Sequence, residues 1–296
     1  MNIRAIDKIS LSHSRSIFLL IITAVLWSFG GLLIKWVNWN PAVIAGMRSA
    51  IAALMMLAII RRPQLPRTFA QIIGAVAYAG AAIMLITANK MTTAANAVLL
   101  FYTAPIYVAI LGGWFLKERV NKSSWVTIFL VLGGMCLFFV DSINTGSFTG
   151  NILGVLSGFS FAVTAVCLRS QKSSSPIVTV FWGNVLTALI GIPFMFGSMP
   201  DASGWTGLIL MGVFQTGLSY ILFTIAIKQV TALESTLIPI IEPILNPMLV
   251  FFVIGEVPGI WAVIGGCIVL LSITLHNVKG LISIIRRKIC LIWDSQ

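Results

Sequence analysis

Between residues 232 and 256 runs an apolar stretch long enough to cross a bilayer, ALESTLIPIIEPILNPMLVFFVIGE. It nevertheless carries the carboxyl groups of Glu234 and Glu242 well before its closing Glu256, an amide, Asn246, and three prolines. Proline removes the hydrogen bond to the carbonyl four residues back. Pro239, Pro243 and Pro247 therefore leave the carbonyls of Ser235, Pro239 and Pro243 without helical donors. Counted from Ala232 at about 1.5 Å per residue, Glu242 lies roughly 15 Å deep, near the middle of a hydrocarbon layer about 30 Å thick. A carboxylate there costs about 2.5 to 3.5 kcal/mol even on insertion scales, so its partner must be protein or a water-filled space. Steps of three and four residues place Ser235, Ile238, Glu242 and Asn246 on one helix stripe. Glu242 then reads either as a site for a proton, cation or amine, or as a packing carboxyl tied to a hydroxyl or amide.

Arg48 lies inside a second apolar run and has similar alternatives. It can bind a carboxylate, pair with Glu242 or Glu234, or snorkel to the headgroups. Glu234, close to the start of its helix, gains from the helix dipole as an N-terminal anion, and is otherwise a coupling or ion-pair candidate. Trp27, Tyr78, Tyr102, Trp182, Asn184, Gln215 and Tyr220 fall within apolar runs rather than only at their ends. A small-molecule site in an apolar setting needs such groups, although aromatic residues also fill cores and form interfacial belts. Pro105 marks a further kink.

Other chemistries find no residues. There are two histidines, His13 and His276, no metal-ligand spacing, no nucleophile set and no phosphate-binding loop. Cys136, Cys167, Cys267 and Cys290 stand singly. The expectation is no enzyme, no metal and no cofactor.

The elements that must hold these residues follow from composition. Of 296 residues 58% are hydrophobic and 9% charged, and the mean hydropathy is +1.02, which marks an integral membrane protein. Apolar runs of membrane-spanning length point to helices rather than barrel strands. Ten spans are expected, near 16–37, 41–60, 69–88, 93–116, 124–140, 150–168, 176–197, 205–227, 232–254 and 259–280. The net charge of +11 comes from short clusters between runs, not from a stripe suited to nucleic acid. Sixteen of the 19 basic residues fall on the side shared by the two termini. The positive-inside rule then places both termini in the cytoplasm, with the chain in the inner membrane.

Shifting the chain by 138 residues aligns 88–118 with 226–256 without a gap. Nine positions match, including Lys90/Lys228, Pro105/Pro243 and Glu118/Glu256. Weaker echoes join Ala24 to Gly154 and Pro41 to Pro176. Two repeats follow, 1–145 and 146–296 with its basic tail. Five spans in each make the second enter the membrane inverted. Glu242 has Ala104 as its repeat mate, so the repeat itself does not require an acid there.

The paired strings AANAVLLFYTAPIYVAILGGWFLKERV and TALESTLIPIIEPILNPMLVFFVIGEV resemble the signatures of the EamA family of the drug/metabolite transporter superfamily. The resemblance implies an all-α membrane protein of ten transmembrane helices in two inverted five-helix repeats around a central cavity. It also implies export of a small metabolite, such as an amino acid or a similar amphipathic compound, by alternating access. The alternatives are a drug or lipid-precursor exporter and, from another class, a membrane-embedded sensor or scaffold. The expected partners are a small metabolite and the bilayer, with a proton as the candidate coupling ion and no nucleic acid.

Overall fold

The computed structural model describes residues 11–30, 33, 37, 39–61, 64–92, 94–118, 120–140, 147–171, 174–195, 200–245 and 259–293, with backbone alone for 94 and 278–293. The expectations for Asn246, Pro247 and Glu256 lie outside the described residues. Twelve α-helices follow in order: α1 His13–Ser28, α2 Pro41–Ile60, α3 Phe69–Met91, α4 Ala94–Phe101, α5 Ala104–Leu111, α6 Lys122–Phe138, α7 Phe148–Ser170, α8 Pro176–Gly191, α9 Ala202–Leu210, α10 Ser219–Ala226, α11 Ala232–Leu237 and α12 Ile260–Trp293. Among the described residues seven helical segments are long and apolar enough to cross a membrane. They are Pro41–Ile60, Phe69–Met91, Ala95–Leu116, Phe148–Ser170, Pro176–Phe194, Ala202–Ala226 and Ile260–Asn277; α1 and α6 are shorter apolar helices. With the broken helical stretch 232–245 they make ten apolar passages among the described residues. We number these as spans 1 to 10.

The helix ends follow local chemistry. Ser12, Asn40, Thr68, Asn121, Ser147 and Thr231 cap α1, α2, α3, α6, α7 and α11 with side-chain oxygens. Asp201 caps α9, and the N–H of Gly204 and the hydroxyl of Ser203 hold its carboxyl below the usual range. Span 1 begins earlier than expected, at His13, because Ser12 supplies that cap. The last helix runs beyond the expected 280, to Trp293.

Large apolar side chains such as Phe18, Leu54, Phe129, Ile209 and Leu271 are exposed, as a lipid-facing surface requires. Lipid tails are as apolar as leucine, so spans associate through close packing instead. Gly46 and Gly191 meet between α2 and α8, and Gly134 and Gly265 between α6 and α12, where an added Cβ would come within 3.0 Å of backbone atoms. The neighbouring Gly133 faces nothing within 4 Å.

The principal packing partners are span 3 with 6, 1 with 8, 3 with 7, 2 with 8, 4 with 6, 1 with 9, 2 with 7, 4 with 9 and 5 with 10. Exchanging every span for the one five places along returns these nine pairs, but span 3 with 4, packed as extensively as 4 with 9, has no equal in its exchange, 8 with 9. Span ends alternate as well. His13, Glu118, Arg169, Lys228 and Ala232 meet at one end, while Thr92 meets Asn151, and Trp39 meets Trp205, at the other.

The first of these ends is closed by charged groups. Arg169 Nε donates to Glu118 Oε1 at 2.8 Å, and its Nη1 donates to the carbonyls of Ile227 and Lys228. The second oxygen of Glu118 accepts from the Ala232 N–H at 2.8 Å. One carboxylate thus joins spans 4, 6 and 9, with the carbonyls that end span 8 tied in. Arg169→Ala strands Glu118 and two carbonyls. It is expected to cost about 1–3 kcal/mol, discounted for partial exposure, seen as a melting temperature lowered by a few degrees in detergent.

Candidate functional site

Span 9 begins with a capping box. The Thr231 hydroxyl accepts from the Glu234 N–H at 3.1 Å, and Glu234 Oε2 accepts from the Thr231 N–H at 2.7 Å. Glu234 Oε1 lies 3.2 Å from His13 Nε2. Pro239 interrupts the α-helix, and Ile238–Ile241 form a 3₁₀ turn in which the Glu242 N–H donates to the Pro239 carbonyl. The expectation that the Pro239 carbonyl lacks a donor is corrected here. The tighter i to i−3 pattern supplies the bond that Pro243 cannot.

The opposing break lies in span 4. α4 ends at Phe101, and α5 restarts at Ala104 with Pro105 in its first turn. Pro105 has no N–H for the Phe101 carbonyl. Gly158 of α7 packs against that carbonyl so closely that an added Cβ would stand 2.6 Å from its oxygen. Tyr102, at the break, donates its hydroxyl to Glu242 Oε2 at 2.6 Å. The two proline-broken spans thereby meet through an acid and a phenol.

Around this pair lie residues from spans 1, 2, 3, 7 and 8. Tyr78 donates to Asn184 Oδ1 at 3.2 Å, and its ring stands 4.8 Å from that of Tyr220, edge to face. Trp27 lies 5.1 Å from Tyr220 and donates from its indole nitrogen to Ser219 Oγ at 2.8 Å. Arg48 reaches Gln215 Oε1 at 3.4 Å and is within electrostatic reach of Tyr78, Tyr220 and Glu242. Trp27, Tyr78, Tyr102 and Asn184 are buried, whereas Arg48, Gln215, Tyr220 and Glu242 are only partly buried. The buried residues form the frame, and the accessible ones present a guanidinium, an amide, a phenol and a carboxyl.

Backbone irregularity sets this side of the site. Met211–Leu218, between α9 and α10, is π-helical and carries Gln215; such segments are frequent at functional sites. Gly212 in it lies against Ile51 and the Arg48 carbonyl, so spans 2 and 8 touch at the level of the arginine. Gly30 leaves room for the Gln215 amide, and Gly183 for the Tyr78 ring.

Glu242, Arg48, Trp27, Tyr78, Tyr102, Asn184, Gln215 and Tyr220 are thus brought together. Trp182 lies apart from them, its indole donating to the Gln64 carbonyl at 2.8 Å. Glu234 also lies apart, with His13 and its cap. Arg48 forms no ion pair with Glu242 or Glu234 among the described residues. Ser219 and Thr216 were not singled out from the sequence. Ser219 orients Trp27, and Thr216 donates to Gln215 Oε1 at 3.1 Å. The four-residue step from Gln215 to Ser219 was the available signal.

A multi-pass helical bundle with a carboxyl and a guanidinium among aromatic rings inside its apolar spans has at its centre the polar groups that a membrane transporter needs. The chain belongs to the EamA-like transporter family, whose sequence profile matches residues 14–140 and again 148–278. The uncharacterized transporter YdfC of Bacillus subtilis is 26% identical, covering 88% of each chain. An uncharacterized transporter of Archaeoglobus fulgidus is 29% identical over 64% of this chain and 69% of its own. The biotin transporter of Escherichia coli is 25% identical over 72% of this chain and 77% of its own. A crystal structure at 17% identity superposes with a TM-score of 0.79, covering 90% of this chain and 98% of that one, which establishes the fold alone.

Proposed function

We propose that the protein exports a small amphipathic metabolite, an amino acid or a compound like it, across the inner membrane by alternating access. Two inverted five-span halves, 1–145 and 146–296, rock about the central site, with Glu242 as its principal ionisable group and a proton as the coupling ion. The observation that carries this reading is the Tyr102–Glu242 bond, which joins equivalent spans of the two halves within the apolar zone. The double family match and the nine packing pairs that exchange among themselves support the repeat. Named relatives are transporters. The test is uptake and counterflow in proteoliposomes with a metabolite panel, with and without a pH gradient. Transport of amphipathic metabolites that depends on the gradient supports the reading. Transport of lipid precursors or drugs alone replaces it with the second exporter class.

Orientation has its own test. Reporters fused at residue 65 and after residue 290 should report cytoplasm, and one near residue 145 the outside. The opposite result at either terminus overturns the inverted arrangement.

A further inference from the structure

Arg48 is an unusually unsatisfied cation for its position. Its Nε is enclosed without a hydrogen-bond partner among the described residues. Its Nη1 has one long contact, 3.4 Å to Gln215 Oε1, an oxygen already accepting from Thr216 at 3.1 Å. Good N–H···O bonds are about 2.7–3.2 Å long, and a guanidinium has five donors arranged to fit a carboxylate bidentately. An enclosed donor of a cation left without a partner is costly. The natural internal anion is Glu242, yet its carboxyl is engaged by Tyr102 at 2.6 Å and forms no ion pair with Arg48 among the described residues. Packing does not explain the guanidinium either. Gly212 presses on the Arg48 backbone carbonyl and leaves the side chain only partly buried among Tyr78, Tyr220 and Gln215.

We infer that Arg48 is the carboxylate-binding residue of the site, that Gln215 holds its place until substrate arrives, and that the substrate is a small carboxylate. The carboxylate takes the guanidinium donors and releases the Gln215 amide. The apolar body of the substrate lies on the ring of Tyr220, backed by Trp27, 5.1 Å away, and Tyr78, 4.8 Å away. An ammonium group, where the substrate has one, faces Glu242. The inference rests on the transport reading above and narrows it. A free carboxylate becomes the required feature, and the amine becomes optional.

The test uses the full-length purified protein in detergent. Its melting temperature is followed with the twenty common L-amino acids and with acetate, butyrate and biotin, since a ligand that binds the folded state raises it. Every compound that stabilises the wild type is repeated as its carboxamide, which keeps the shape and removes the charge. The expected result is that carboxamides lose the effect, with affinity falling about 10- to 100-fold, the scale of one or two charge-assisted hydrogen bonds. Arg48→Gln should lose affinity for the acids to the same extent and no longer distinguish acid from amide. Gln215→Ala should bind the acids at least as tightly as wild type, because the competing amide is gone. Acids and amides binding wild type alike, or Arg48→Gln binding acids as wild type does, overturns this inference and leaves the transport reading standing. If no acid or amide binds, and none is moved in proteoliposomes, the amino-acid reading falls and takes this inference with it. The amide comparison is made on the wild type, so it holds even if a variant fails to fold.

Discussion

Glu242→Gln is expected to abolish gradient-driven transport, by roughly two orders of magnitude or more, the scale of a positioned proton-transfer group, while the protein expresses and melts as wild type does. Glutamine keeps the side-chain volume and still offers an oxygen to the Tyr102 hydroxyl, now 2.6 Å from Glu242 Oε2. What it removes is the ability to alternate between acid and carboxylate as the site fills and empties. Glu242→Leu removes the acceptor too, leaves the buried phenol unpaired, and should lower stability by about 1–3 kcal/mol as well. Measuring both variants in one proteoliposome assay separates the two roles open to this residue. An active Glu242→Gln protein with an unchanged response to the pH gradient would show a packing carboxyl and sink the coupling role.

Gly158→Ala is the second large effect. Its new methyl would stand 2.6 Å from the Phe101 oxygen and 3.1 Å from that of Leu100. These are backbone atoms at the break where Pro105 has already removed a hydrogen bond, so no side chain can swing aside. Overpacking of this kind costs about 1–3 kcal/mol. The adjoining residue is Tyr102, so relief of the clash carries the phenol away from Glu242. The expected outcome is a lowered melting temperature together with a transport defect resembling that of Tyr102→Phe. Gly133→Ala, where an added Cβ meets nothing within 4 Å, is the control and should be silent in both measurements. Wild-type transport by Gly158→Ala would show that this contact does not position Tyr102.

Much of the frame was legible because the bilayer restricts the choices. Apolar runs of fixed length and the paired Lys90/Lys228 and Pro105/Pro243 place helices without tertiary information. The site was legible in residue type, since a carboxyl, an arginine and amides inside apolar spans demand partners. Who partners whom was not. Tyr102 and Glu242 are separated by 140 positions, and their repeat mates, Ile240 and Ala104, are apolar, so the repeat gives no hint of the bond. Trp182 shows the converse, because a polar residue within a span can equally serve a loop carbonyl, whereas Glu234 serves the helix start beside which the sequence places it. The π-helical run that presents Gln215 has no marker in residue type, being a matter of hydrogen-bond pattern alone. Gly158 has no marker in the sequence, since its importance depends on a proline fifty-three positions earlier.

The two ends of the bundle are closed by different forces. At the end where the basic residues gather, separation must break directional bonds among Glu118, Arg169, the Lys228 carbonyl and the Ala232 N–H. At the other end, beside the Thr92–Asn151 hydrogen bond, Leu33, Val37, Ile44, Leu208 and Met211, with Trp39 and Trp205 against them, make a larger apolar contact with no set direction. Charged contacts near a surface weaken as ionic strength rises, whereas apolar contacts weaken on cooling. Salt and temperature therefore act on opposite ends of the same molecule.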